Sequence, residues 1–234
     1  MSKYSPAWPH GDIIKAFENV YVVRGSNITY FADTRIQHSR NMTIINSNGD
    51  LTLINTVRLN EEGLRALDML GSVKHVVSIG AFHGRDDAFY LDRYQSEFWT
   101  VHPEKKAYIT RCLQDNNALP IKNSHFFMFK NSSPAEGFIY MNNQEGIIIT
   151  CDSIKNWVEI DQYFSEDTAK MAISQGEITK ARISPIWLNA TGVHKADFDY
   201  LLHLQFKHLI SAHGDVLKNT AYEDVKNSVE QINK

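Results

Sequence analysis

Residues 73–103 read V-K-H-V-V-S-I-G-A-F-H-G-R-D-D-A-F-Y-L-D-R-Y-Q-S-E-F-W-T-V-H-P. The apolar run Val76–Ile79 ends at Gly80 and leads into a compact polar knot of His83, Gly84, Arg85, Asp86 and Asp87. After an aromatic segment, Phe98 to Val101 forms a second strand-like run. An imidazole and two carboxylates just past the end of a buried strand suit a metal site or an acid–base site, because a rigid scaffold positions such loops.

Upstream of this stretch, Asn60 caps a short helix with Leu64, Leu67 and Leu70 at helical spacing, Glu61 and Glu62 in its first turn, and Gly71 at its end. Before it, Met42 to Asn46 and Leu51 to Thr56 form strands joined at Asn48-Gly49, a pair that tolerates the positive φ of a tight hairpin. Asn19 to Arg24 reads as the first strand. Residues 1–18, with Pro6, Trp8, Pro9 and Gly11, read as an irregular arm.

Downstream, Lys105 to Gln114 reads as weakly helical and Phe126 to Phe129 as a strand. Gly137 to Asn142 and Gly146 to Thr150 form a second hairpin that ends at Cys151-Asp152. Thr168 to Ile173 and Lys195 to Leu204 read as helices, and Lys207 to Ser211 as a late strand that delivers Ala212-His213-Gly214-Asp215. Tyr222 to Ile232 is an amphipathic helix. This order predicts a layered α/β protein with mixed sheets, without a domain boundary across residues 1–234.

The 24 basic and 27 acidic residues leave a formal net charge of -3, which exerts no general pull toward nucleic acid or an anionic membrane. No run approaches the roughly 20 apolar residues of a membrane helix, and the first residues lack an apolar signal core, so the expected location is the cytoplasm. Cys112 and Cys151 fit no zinc-knuckle spacing and read as reduced thiols. The expected partner is a small-molecule substrate, and no feature bears on oligomeric state.

Three polar knots follow strand-like runs: His83 to Asp87, Asp152, and His213 to Asp215. Each has a structural reading of its own. Asp152 can cap a turn, Gly214 can supply positive φ, and Arg85 can pair with Asp86 or Asp87. Together they supply nitrogen and oxygen donors of the kind that zinc, iron and manganese accept. His75 and His102 read as structural, His10 and His38 as residues of loops bordering the crevice, and Tyr90 as core beneath the knot or pocket wall.

The order of these elements resembles the metallo-β-lactamase fold, a four-layer αβ/βα sandwich with two mixed β-sheets. The resemblance is carried by N-M-T-I-I-N-S-N-G-D-L-T-L-I-N-T (41–56), Val73 to Asp87, G-I-I-I-T-C-D (146–152) and L-I-S-A-H-G-D (209–215). More narrowly, G-A-F-H-G-R-D-D-A-F-Y and C-D-S-I-K-N-W resemble a divergent branch of that superfamily. Its main motif, His-x-His-x-Asp-His, places His83 and Asp87 at ligand positions, with Arg85 and Ala88 where histidines stand. Asn55 falls where an aspartate is usual, and Ser132 to Gly137 holds no histidine. Asp152 matches the bridging aspartate and His213 the final histidine.

The resemblance implies two readings. In one, His83, Asp87, Asp152 and His213, with Asp86 as an alternative, hold one divalent ion, either zinc, iron or manganese. Metal-activated water then hydrolyses a small ester, lactone or phosphate-like substrate, with Asp87, Asp152 and Arg85 taking part. In the other, no metal binds, Arg85 replaces it electrostatically, and the protein is catalytically silent or binds a small anion.

Overall fold

The computed structural model describes residues 3–31, 33–102, 110–115 and 119–232. Strand alternation determines its layers. Along β4 (Asp50–Ile54), Leu51 and Leu53 face one way and Ile54 the other, and along β5 (Ser72–Ser78) Val76 and Val77 divide likewise. In the second sheet Ile147 and Ile149 of β10 (Ile147–Thr150) face inward while Ile148 faces outward. Strands apolar on both faces need cover on both faces, and this is what builds four layers.

The first sheet has seven strands. β1 (Ile14–Phe17), β2 (Val20–Phe31), β3 (Thr34–Ser47) and β4 run antiparallel, and β5, β6 (Glu97–Thr100) and β7 (Thr110–Cys112) continue parallel to β4. The second sheet has the order β11 (His208–Ser211), β10, β9 (Gly137–Met141), β8 (Ser124–Met128), with β10 and β11 parallel. Between the sheets lies an apolar layer that includes Ile54, Val77, Phe126, Ile139, Ile149 and Ile210. On the outer face of the first sheet, α1 (Glu61–Leu70) and α2 (Asp87–Tyr94) bury Leu64, Leu67, Phe89 and Tyr90. α4 (Pro185–Thr191) and α6 (Ala221–Glu230) bury Trp187, Val225 and Val229 over the second, and α3 (Glu166–Ser174) packs beside β3.

Several local expectations hold in detail. Asn48 and Gly49 take φ of 58° and 93° in the β3–β4 turn, and the Gly63 amide donates to Asn60 Oδ1 at 2.8 Å. Other expectations are corrected. Residues 14–17 of the expected arm form strand β1, because β2 offers them a free edge. The β2–β3 hairpin runs well past the expected strand, pairing Phe31 with Thr34. Part of the expected helix at 105–114 lies outside the described residues, and Thr110–Cys112 is a strand, since β6 presents an unpaired edge there. The expected helix at 195–204 is a 3₁₀ turn, Lys195–Phe198, followed by one α-turn, α5 (Asp199–Leu202).

The two sheets are stitched together near the ends of their strands. The Gly137 amide donates to the Ile79 carbonyl at 2.9 Å, the Asn41 amide to the Ala212 carbonyl at 2.7 Å, and Asn55 Nδ2 to the Thr150 carbonyl at 3.2 Å. Asn41 Nδ2 adds bonds to the carbonyls of Ser211 and Gly214. No described helix is long and apolar enough to cross a membrane.

The inter-sheet layer sets a stability test. Ile149 is fully buried, so Ile149→Ala is expected to cost about 2–5 kcal/mol in urea denaturation. Ile173, 61 % exposed on α3, is the control, and Ile173→Ala should stay within about 0.5 kcal/mol.

Candidate metal centre

The parallel register of β10 and β11 pairs Thr150 with Ser211. Asp152 and His213 each stand two residues beyond that pair, so both chains leave the sheet with these side chains at the same level. The third arm comes from the loop after β5, where the His83 amide donates to the Gly80 carbonyl at 3.3 Å. Gly84 follows at φ 107°, where an added Cβ would lie 2.6 Å from Asp87 Oδ2. Only glycine permits that turn.

These arms bring His83, Asp152 and His213 together. The two Nε2 atoms stand 3.1 Å apart. His213 Nε2 is 3.0 Å from Asp152 Oδ1, and His83 Nε2 is 3.3 Å from Asp152 Oδ2. The other nitrogen of His213, Nδ1, lies 3.1 Å from the Ser39 carbonyl. A carbonyl only accepts, so Nδ1 carries the proton. In the neutral ring Nε2 is then a lone pair aimed at a carboxylate oxygen, and that contact is attractive only with a proton or a cation between them. Burial pushes His213 below the ordinary imidazole range and so favours the neutral ring.

The surroundings sharpen this demand. Burial alone would push the Asp152 carboxyl up, but the His83 and His213 rings against its two oxygens hold it well below the usual carboxylate range. Cys151 is fully buried beside it, with Sγ 3.8 Å from Asp152 Oδ2. Glu136 is buried too, its carboxylate accepting from the Ser153 amide at 2.6 Å and Trp187 Nε1 at 3.0 Å. Burial and the Asp152 charge push Glu136 up to about 8. Trp157 packs against the His213 ring at a tilt of 54°, ring centres 4.8 Å apart, and donates from Nε1 to Ser39 Oγ at 3.0 Å.

A cation therefore fits here on the chemistry of the donors. Two imidazole nitrogens and one ionised carboxylate converge, one ring is oriented by a backbone carbonyl, and His83 Nδ1 is buried without a hydrogen-bond partner among the described residues.

The other predicted residues are placed differently. Asp86 is not in this cluster. It is the buried counter-ion of Arg40 on β3 and also accepts from the Arg58 amide at 3.0 Å. A carboxylate so engaged has its charge neutralised by the guanidinium. Arg85 leaves the knot on the solvent side, donating to the Ile28 carbonyl at 2.6 Å and Asn27 Oδ1 at 3.2 Å, with its guanidinium 5.2 Å from the Trp8 ring. Among the described residues Arg85 forms no ion pair with Asp86 or Asp152, and Asp86 acts on it only through its charge. The buried cation of this region is Arg40, which also donates to the Thr56 carbonyl at 2.6 Å. Asp87 is buried under Gly84, with Oδ1 accepting from Thr56 Oγ1 at 2.6 Å.

Tyr90 is core, its hydroxyl donating to the Val57 carbonyl at 2.6 Å. His38 lies on β3 rather than in a loop, with its ring 5.2 Å from that of His213, and burial followed by His213 pushes it far down. Sequence reading missed Glu136, Arg40 and Cys151. Arg40 had a signal, since a charge between strand residues needs a buried counter-ion. Glu136 stands alone between Ala135 and Gly137, with no local pattern that marks it as buried.

No protein-family model matches the chain, and no curated protein matches it significantly. Solved structures do. A metallo-β-lactamase from Erythrobacter litoralis superposes with a TM-score of 0.57 at 10 % identity, over 94 % of this chain and 92 % of that one. This chain has the metallo-β-lactamase fold. A metallo-β-lactamase from Hirschia baltica gives a TM-score of 0.58 at 10 % identity, over 93 % and 97 %. A flavo di-iron protein from Thermotoga maritima gives 0.62 at 16 % identity over 96 % of this chain, which spans 62 % of that longer protein.

Two measurements follow. Arg40→Met should cost about 3–5 kcal/mol in chemical denaturation, because it strands Asp86 in the interior, and the double change with Asp86→Leu should recover most of that loss. Glu136 keeps in the folded state a proton that the unfolded chain releases at ordinary carboxyl pH. Its contribution therefore falls as pH rises from the ordinary carboxyl range toward about 8. Denaturation of chelator-treated protein at about pH 5 and about pH 9 should show that decline, and Glu136→Gln should flatten it.

Proposed function

We propose that this chain is a metal-dependent hydrolase, with one divalent ion held by His83, Asp152 and His213 and a small ester, lactone or phosphate-like substrate. The observation that carries the reading is the convergence of two Nε2 atoms 3.1 Å apart on a single ionised carboxylate. Zinc, iron and manganese all suit such a donor set. The names of the structural neighbours, metallo-β-lactamase and flavo di-iron protein, support a metal in this fold. One ion rather than two is the reading that agrees with Asp86 being committed to Arg40.

When bound, such an ion lowers the pKa of water and polarises a carbonyl or phosphoryl oxygen. The chain's own residues do the rest. Ser39 fixes the His213 ring through Nδ1, so its lone pair stays aimed inward. Asp152, held ionised, would bind the ion through one carboxylate oxygen and leave the other to accept a hydrogen bond from water. Trp157 walls one side of the His213 ring and limits solvent access. Arg85, exposed and braced by Ile28 and Asn27, offers a fixed cation at the rim for an anionic substrate group. Asp87 braces the loop that carries His83, through Thr56 and the Gly84 turn.

Elemental analysis after incubation with zinc, iron and manganese salts tests the reading. The expected result is about one transition metal per chain and hydrolysis of an ester, lactone or phosphodiester, with both lost in Asp152→Asn. Wild-type protein that retains none of the three metals would sink it.

A further inference from the structure

We infer that the groove between α4 and α6 is a second binding site, one that takes a small organic anion with an apolar body, an acyl carboxylate. The groove encloses about 690 Å³, within the roughly 300–1,000 Å³ of small-molecule sites. None of His83, Asp152 and His213 lines it. It therefore stands apart from the metal centre and does not rest on the metal reading.

The floor of the groove is apolar. Ile183 and Val193 are buried members of the core over the second sheet, and Leu188 and Ile232 are partly buried against that core. Around the floor stand groups that donate. Lys180 and Arg182 come from the segment between α3 and α4, and Asn189, Asn227 and Gln231 add side-chain amides from the two flanking helices and the end of α6. Lys180 and these three amides make no side-chain hydrogen bond or ion pair among the described residues.

Arg182 carries the argument furthest. Its side chain lines the groove and stays 23 % exposed, while its Nε is buried without a hydrogen-bond partner among the described residues. The carboxylate beside it, Glu177 Oε1, stands 3.9 Å from Nε, beyond hydrogen-bond reach. Glu177 is already held by Lys155 Nζ at 3.2 Å and Ser184 Oγ at 2.7 Å. The guanidinium thus lacks a close anion, and its planar fork matches a carboxylate. Among the lining residues the one carboxylate is Asp224, which accepts from Thr220 Oγ1 at 2.6 Å. Lys180 and Arg182 against Asp224 leave one net positive charge, which suits a monoanion better than a phosphate dianion. The plain alternative is a hydrated crease between two helices. A hydrated crease gains nothing from an apolar floor next to a cation without a close anion, whereas an amphipathic anion gains from both.

Sodium octanoate is the probe, titrated calorimetrically into the chelator-treated whole chain so that no metal competes for the carboxylate. The expected result is one octanoate per chain, with octanol and octylamine at least about tenfold weaker. Lys180→Gln and Arg182→Gln should each weaken octanoate at least about tenfold. Lys74→Gln, on β5 and outside the groove, should leave it unchanged. Should Arg182→Gln fail to fold, the exposed Lys180→Gln and the three-ligand comparison still decide. Absence of octanoate binding overturns the inference. So does octanol or octylamine binding as tightly as octanoate, or octanoate affinity unmoved in Lys180→Gln. Each of these results leaves the hydrolase reading standing, since that reading is tested by metal content.

Discussion

The seam between the two sheets is the constraint on which the rest of this molecule hangs. Strands that end against an apolar layer leave backbone groups that water cannot reach, and each needs a partner. Here the partners come from the opposite sheet: Gly137 to Ile79, Asn41 to Ala212, Asn55 to Thr150. The first half of β3 pairs with β2 on one side only, since its pairing with β4 begins at Thr43. Asn41 uses that free edge to grip the chain leaving β11. The loops carrying His83, Asp152 and His213 therefore grow from a closed hydrogen-bonded frame, and their donor atoms meet within about a bond length of where an ion would place them.

Two buried electrostatic problems sit on this frame, and they are solved differently. Asp86 is answered inside the protein by Arg40 and by the Arg58 amide. Removing two such charges from water is expensive, and a fixed guanidinium that also bonds the Thr56 carbonyl recovers the cost. Asp152 is answered by two imidazoles, one of them locked by Ser39 with its lone pair inward. That arrangement has more acceptors than donors. Glu136 relieves part of the excess by keeping its proton, because burial and the Asp152 charge make a second carboxylate costly. What remains calls for a cation from outside.

The surrounding aromatic and basic residues follow from the same division. Arg85 cannot enter the interior, where Arg40 already serves Asp86, so it lies at the surface on Ile28, Asn27 and Trp8. Trp157 and His38 close around His213 because β3 and the segment after β10 converge there. Asp152 is the most exposed member of the cluster, its side chain 15 % exposed against 5 % for His83 and 3 % for His213.

Much of this was legible along the chain. The apolar runs in Gly146 to Thr150 and Leu209 to Ser211, the Asn48-Gly49 turn and the Asn60 cap depend on neighbours a few residues away, so these strands, the hairpin and the first helix could be read directly. The positions of His83, Asp152 and His213 just past strand ends could be read for the same reason. Long-range pairing was not legible. β1 and β7 exist because a neighbouring strand edge was free, not because their own residues favour extension. Which carboxylate meets a cation is likewise a matter of three dimensions. Asp86 and Asp87 are adjacent in sequence, yet a helix start turns one to Arg40 and the other to Thr56. The sequence by itself determined the strands and the helix around the knots and the chemical types in each knot, because these rest on local sterics and hydrophobic periodicity. Only the tertiary structure decided that Arg40 rather than Arg85 is the buried cation, and that Cys151 and Glu136 border the site, because burial and charge pairing depend on residues tens of positions apart.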